Sequence, residues 1–243
     1  MIYLAGPKLL FFKTKKTAGT SVEVALSCNA SARDIVTPIL PEDEAKRHEL
    51  GGQFPVNWAW HRSSEIHYRE RFDKYLAEGT IPRRWFGLKR GRLYRRSEAK
   101  YINHIPPDKV IGMGQVEMVR GAFVVTMCRH PYETVVSWAS HLHADGGGDF
   151  DRILDRAARH RPLNEVYLFG ARRPDFIIRY EHLHEDLTAL EQRFGLTLLE
   201  KLPVTKGKAR KDRRDAREVL SDTQKARIRE SHARTFAELD YAP

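Results

Sequence analysis

The sequence predicts an α/β protein, a single domain over residues 1–243 with a mostly parallel central sheet flanked by helices. Three observations carry that expectation. Apolar runs of strand length alternate along the chain with segments of helical spacing. Ala122–Cys128 ("AFVVTMC") is almost continuously apolar, as suits a strand covered on both faces. The run Leu9–Phe12 passes through a loop to Val22, Ala25 and Leu26 at helical spacing, a strand–loop–helix unit.

The remaining elements follow in order. "MIYLAGPKLLFFK" reads as the first strand and not as a signal peptide, because it lacks a basic leading region and a small-residue cleavage site. Asp34–Leu40 reads as a second, short strand. "PEDEAKRHEL" opens with proline and acids, as helices do, and stops at Gly51-Gly52. The middle, 54–100, is the least regular part; it carries Trp58, Trp60 and Trp85 and a helix from Ser63 to about Leu76. Val110–Gly114 ("VIGMG") reads as a weak strand ahead of Ala122–Cys128, with a helix from Tyr132 onward. Gly146–Gly148 breaks that helix and Asp149 caps the next. Asp175–Glu181 is a further strand leading to a helix over Leu183–Phe194. Ser221-x-x-Gln224 has the form of a capping box for a last amphipathic helix carrying Ile228 and Phe236.

Composition narrows the function classes. The 243 residues are 41% hydrophobic, so the chain can bury a core, and no apolar run reaches the roughly 18 residues of a membrane span. Cys28 and Cys128 lie beside apolar segments, which favours two free thiols in a reducing, cytoplasmic setting over one disulfide. The net charge of +10 is concentrated in two stretches, 83–100 and 206–217. Clustered positive charge attracts anions: nucleic acid, an acidic surface or a polyanionic small molecule.

"KTKKTAGTS", Lys13–Ser21, sits where a strand hands over to a helix. Backbone N–H groups at a helix N-terminus, with the helix dipole behind them, form an anion site. Thr20 and Ser21 add hydroxyls and a lysine adds a point charge. Taken alone, the stretch fits an ordinary capped turn equally well. It does not fit the triphosphatase loop G-x-x-x-x-G-K-[ST], because Lys16 precedes Gly19 and no upstream glycine opens the motif. A nucleotide kinase with an atypical loop is therefore a lesser alternative. A second anchor is "RHPYETVVS": Arg129 leaves a buried strand and Ser137 follows on a helix, a guanidinium with a hydroxyl beside it. Two anion candidates at strand C-termini are stronger together, since ligands of α/β sheets bind at those ends.

The two motifs in this order resemble the sulfotransferases that use 3′-phosphoadenylyl sulfate (PAPS). Lys16, Thr17, Gly19, Thr20 and Ser21 match the family's 5′-phosphosulfate loop, P-K-T-G-G-T-S, while Lys15 and Ala18 stand where proline and glycine are usual. Arg129 and Ser137 match its 3′-phosphate element, R-x-P-x-x-x-x-x-S. "IIRYEHLHEDLTALEQRFGL" and the ending "FAELDY" are similar to the carbohydrate-type branch. The resemblance implies a P-loop-like sulfotransferase architecture and metal-independent, in-line transfer of a sulfuryl group from PAPS to a hydroxyl or amine. The product would be adenosine 3′,5′-bisphosphate (PAP). In such a reaction positioning and positive charge at the leaving phosphate do the work, which implies Lys16 as the catalytic lysine. The donor would be held by Lys15, Thr17, Ala18, Gly19, Thr20, Ser21, Arg129 and Ser137, with Lys206, Lys208 and Arg210 closing over the nucleotide end. The general base is left open: His104 first, from its place ahead of the 3′-phosphate strand, then His61, with Glu65 or Glu117 as carboxylate alternatives. The implied acceptor is a carbohydrate or small metabolite, with 54–100 as an acceptor-side insert where Trp85, Phe86 and Tyr94 stack on it. The rival of a different class is a basic nucleic-acid or polyanion-binding protein, which leaves the paired motifs unexplained.

Overall fold

The computed structural model describes residues 1–79, 93–203 and 214–242. The chain starts with β1 (Ile2–Leu4) and β2 (Leu9–Phe11), an antiparallel pair, so the stretch expected as one strand is two. Gly6-Pro7 and a left-handed Lys8 (φ 51°) reverse the chain between them. α1 (Gly19–Ser27) follows, then β3 (Ile35–Val36), α2 (Pro41–Glu49) and α3 (Arg62–Glu78). Proline at the start of α2 and three acids in its first turn suit a helix N-terminus.

α4 (Pro107–Gly112) occupies the place where Val110–Gly114 was expected to be a strand. A short apolar run is compatible with either state, and here Pro107 at the first helical position and Asp108 beside it decide for helix. After α5 (Val116–Gly121) come β4 (Phe123–Cys128) and α6 (Pro131–Gly146), which ends at Gly147 (φ 65°). Asp149 caps α7 (Phe150–Ala158) by accepting from the Arg152 N–H at 3.1 Å. The chain continues through α8 (Glu165–Leu168), β5 (Phe176–Arg179) and α9 (Leu183–Phe194) to α10 (Ala216–Val219). The capping box of Ser221 and Gln224 opens α11 (Asp222–Ser231). The expected last helix is in two pieces, because it breaks at His232 before α12 (Ala233–Glu238).

The sheet order is β3-β1-β2-β4-β5. β2, β4 and β5 pair in parallel, while β1 is antiparallel to both neighbours. The sheet is thus mixed, with two parallel pairings of four, and β1 is the one strand running against the rest. Side chains alternate to its two faces. Leu9, Phe11, Val125 and Met127 pack with Val22 and Leu26 of α1 and Leu187 and Leu190 of α9. Leu10, Phe12 and Val124 pack on the other face with Val110 of α4 and Val119 of α5. Both faces are therefore covered, which is why β2 and β4 carry apolar residues at nearly every position. A third cluster joins α6 and α7 to α10 and α11 through Val136, Leu154, Ala216 and Ile228. No helix among the described residues is long and apolar enough to cross a membrane.

Candidate anion site at the sheet edge

The parallel register Leu9↔Phe123 to Phe11↔Val125 brings the C-terminal ends of β2 and β4 side by side. The loop after β2 and the Arg129 turn after β4 consequently open on the same edge of the sheet. Thr14 fastens them: its hydroxyl donates to the Met127 carbonyl at 3.0 Å and accepts from the Thr17 hydroxyl at 2.8 Å. Asn164, just ahead of α8, adds a second fastening. Its side-chain oxygen accepts from the Lys15 N–H at 2.8 Å and its amide donates to the Lys15 carbonyl at 2.9 Å. The same residue lines a cavity of about 20 Å³ with Arg129 and Thr134.

Lys16 and Ala18 both take left-handed backbone conformations (φ 64° and 63°). Such strain in a non-glycine residue costs about 1–3 kcal/mol and persists only where the surroundings impose it. Gly19 is required by close approach: a Cβ there would sit 2.9 Å from Lys13 Cγ and 3.3 Å from the Thr14 carbonyl oxygen. Thr17, Gly19, Thr20 and Ser21 are buried at the start of α1, Lys16 is half-buried and Lys15 is exposed.

Beneath the loop lies a buried charge cluster. Glu23, on α1 and fully buried, receives the Lys13 ammonium on Oε2 at 2.7 Å. Its Oε1 receives the Met1 nitrogen at 2.8 Å and the Thr37 hydroxyl at 3.0 Å. Burial by itself would raise the Glu23 pKa, but Lys13, the Met1 amino group and Arg47 outweigh it and hold the carboxyl well below its usual range. The pairing explains how a charged residue tolerates a helix that otherwise buries Val22, Val24, Ala25 and Leu26.

His104 reaches the same place. Its Nδ1 lies 3.0 Å from the Lys13 carbonyl oxygen, so Nδ1 carries the proton and donates. Nε2 then bears a lone pair, and it has no hydrogen-bond partner among the described residues. Burial of the ring, with the Lys13 charge beside it, pushes the His104 pKa down to about 3 and keeps the imidazole neutral. The Tyr167 hydroxyl, donating to the His104 carbonyl at 2.8 Å, fixes the backbone.

Arg129 is already engaged. Its Nη2 donates to Glu133 Oε2 at 2.7 Å, and the guanidinium stacks 4.0 Å above the Tyr180 ring. Its Nε is buried without a partner among the described residues. Ser137 lies one turn beyond Glu133 on α6 and is half-buried. Nearby, Glu181 accepts from the His130 N–H at 2.8 Å and from the Tyr241 hydroxyl at 3.1 Å. The two late stretches singled out in the sequence, around "RYE" and "ELDY", therefore meet beside the Arg129 turn. Cys128, a free thiol 3.0 Å from the Tyr241 oxygen, has its pKa pushed up to about 11 by burial. Cys28, half-buried, is also free.

Other candidates lie elsewhere. His61 is exposed at the start of α3, next to the exposed Trp60, and makes no hydrogen bond to the loop among the described residues. Glu65 is used locally, accepting from the Trp58 and Ala59 N–H groups at 2.8 and 3.2 Å. Glu117 is exposed in the first turn of α5. A cleft of about 690 Å³ lined by Asn57, Arg62, Glu65, Arg69 and Lys100 sits in the 54–100 region. Asn57 binds the Ala32 and Asp34 carbonyls, which places this cleft by the start of β3, at the end of the sheet opposite the loop. Tyr94, expected to stack on an acceptor, is instead buried with its ring 4.9 Å from that of Trp58. Trp85, Phe86, Lys206, Lys208 and Arg210 lie outside the described residues.

Lys13, Glu23, Glu133 and Asn164 were not anticipated as parts of the site. Glu23 had a signal, a lone carboxylate in "SVEVALS", and Glu133 had its i, i+4 spacing from Arg129. Asn164 had none, since nothing local relates it to Lys15, 149 residues away. Comparison with protein-family models, with curated proteins and with solved structures found no match for this chain.

Proposed function

We propose that the chain is a sulfotransferase of P-loop-like architecture that moves a sulfuryl group from PAPS to a hydroxyl or amine of a carbohydrate or small metabolite. The observation that carries this reading is the shared sheet edge: the two candidate turns leave adjacent parallel strands, and Thr14 ties the first to the strand that carries the second. The residues suit the donor. The loop N–H groups at the start of α1 would receive the 5′-phosphosulfate, and Gly19 shapes the turn by packing closely on Lys13 and Thr14. Arg129 and Ser137 suit the 3′-phosphate.

In the proposed step the acceptor oxygen or nitrogen attacks sulfur while the bond from sulfur to the bridging phosphate oxygen breaks in line. The acceptor proton passes to His104 Nε2, whose lone pair is available because Nδ1–H is committed to the Lys13 carbonyl. With its pKa lowered to about 3 it is a weak base, so the transfer follows bond formation to sulfur, when the attacking atom has become acidic. The departing bisphosphate takes the electron pair, and its new charge develops against Lys16 and the loop N–H groups.

The test is a thermal-shift titration with adenosine 3′,5′-bisphosphate, ATP with Mg²⁺, and duplex DNA. Selective stabilisation by the bisphosphate supports the reading. A response only to ATP with Mg²⁺, or only to DNA with steep salt dependence, refutes it. Lys16→Ala should then lower turnover by about 10²–10³.

A further inference from the structure

Away from the loop, the cleft of about 690 Å³ beside α3 is lined by charged side chains that have no partner. One wall is a single face of α3, where Arg62, Glu65, Ile66, Arg69 and Glu70 follow helical spacing. The other wall is backbone held in place. Val56 bridges to Val36 of β3, Ala59 bridges to Ala99, and the Lys100 N–H donates to the Trp58 carbonyl at 2.9 Å. Glu65 joins the two walls and is committed there, accepting from the Trp58 and Ala59 N–H groups. Arg62, Arg69, Glu70 and Lys100 form no hydrogen bond or ion pair with one another or with any other described residue. Three cations thus face one uncommitted carboxylate. The Arg69 guanidinium carbon lies 4.1 Å from the centroid of the Phe54 ring. Stacking of this kind uses the face of the guanidinium and leaves its N–H edge for a planar anion.

We propose that this cleft is a second small-molecule site, separate from the loop at the sheet edge, that takes a small organic carboxylate with an apolar body. Its volume falls within the roughly 300–1,000 Å³ usual for small-ligand pockets. A carboxylate matches the guanidinium fork in shape, so Arg69 holds it through two parallel hydrogen bonds while Arg62 and Lys100 add charge. Val56, Ala59 and Ile66, the last 52% exposed, supply the apolar wall for the rest of the ligand. Glu70, on the same wall, repels a second negative charge and so favours monoanions over phosphates. The cleft lies by the start of β3, at the end of the sheet opposite the loop. A sulfuryl acceptor has to touch the donor, so a ligand held here is not the acceptor of the reaction proposed above. The inference therefore does not depend on that reading.

Benzoate, phenylacetate and hexanoate, each beside its neutral amide, are the probes, followed in ¹H–¹⁵N spectra of the full chain. At least one carboxylate should shift the Val56, Ala59, Ile66 and Lys100 amide signals together and saturably, and its amide should not. Arg69→Met should weaken that binding about tenfold or more, the scale of one lost charge-assisted hydrogen bond. Because Arg69 also packs on Phe54, the exposed Arg62 supplies a second variant: Arg62→Gln should weaken binding about threefold with Tm unchanged. Adenosine 3′,5′-bisphosphate should neither shift these signals nor displace the carboxylate. No saturable binding by any of the three acids, equal binding by the amides, or wild-type affinity in both variants overturns the site. Shifts scattered over the basic surface would mean unspecific charge attraction and overturn it too. Displacement by the bisphosphate would make the cleft part of a nucleotide site and overturn its separateness. A bisphosphate that binds nowhere refutes the donor reading and leaves this site standing.

Discussion

Replacing Glu23 with glutamine tests the electrostatic foundation of the loop. The carboxylate is fully buried and sits 2.7 Å from Lys13 Nζ, which is itself only 3% exposed. Glutamine preserves shape and one acceptor oxygen but leaves the Lys13 ammonium without its counter-charge. Breaking one side of a buried pair costs about 3–5 kcal/mol, because it leaves a buried charge uncompensated. For a protein of this size each kcal/mol corresponds to about 2–4 °C in Tm, so the expected fall is roughly 6–20 °C. Thermal and urea denaturation measure it. The pH dependence has a definite sign. The Glu23 carboxyl is depressed in the folded protein, so its contribution is complete above the unfolded value of about 4.3 and is lost as pH falls towards the folded value. The gap between wild type and Glu23→Gln should therefore narrow progressively below about pH 5. Between about pH 6 and 8 it also carries the titration of the Met1 amino group, which is lowered to about 6 and bonded to Glu23. The Lys13→Met, Glu23→Gln double variant, which removes both charges, should recover much of the loss. A single variant within about 1 kcal/mol of wild type would refute the reasoning.

Three further outcomes are expected. Ala18→Gly should be neutral or slightly stabilising in urea denaturation, whereas Ala18→Val should cost about 1–2 kcal/mol, because a β-branched side chain is strained at φ 63°. Asn164→Ala removes both hydrogen bonds to the Lys15 backbone and should weaken bisphosphate binding about tenfold, read by calorimetry, with little change in Tm. Ring ¹⁵N spectra should show His104 as the neutral Nδ1–H tautomer with unchanged shifts from pH 8 to 5, since its pKa is lowered to about 3; a titration near the ordinary value of about 6.5 would contradict the burial assigned to it.

Much of the architecture was legible because the signals are local. The apolar run through Phe123–Cys128, the Asp149 cap and the Ser221–Gln224 box each depend on a few adjacent residues. Where local signals balance, the reading failed. Val110–Gly114 has no periodicity long enough to separate strand from helix, and burial of Val110 against the sheet suits either. The first 12 residues carried a turn at Gly6-Pro7, but an apolar run on both sides of it masked the reversal. Tyr94 was placed by its basic neighbours, whereas its ring is claimed by the aromatic cluster of Trp58 and Tyr68.

By itself the sequence determined the strand–loop–helix unit at Lys13–Ser27, the α/β class and the two candidate anion turns, because backbone preference and hydrophobic pattern act over a few residues. Only the tertiary structure decided that β2 and β4 lie side by side, and so that Lys16 and Arg129 open on one sheet edge. It also decided that His104 borrows the Lys13 carbonyl to set its tautomer, that Asn164 clasps Lys15 and that Glu133 balances Arg129. The His104 and Asn164 contacts join positions 91 and 149 residues apart, whose meeting depends on strand order and loop closure. The Glu133 pair spans only four residues, yet whether it forms depends on how the Tyr180 ring and the Ala216 backbone pack around it.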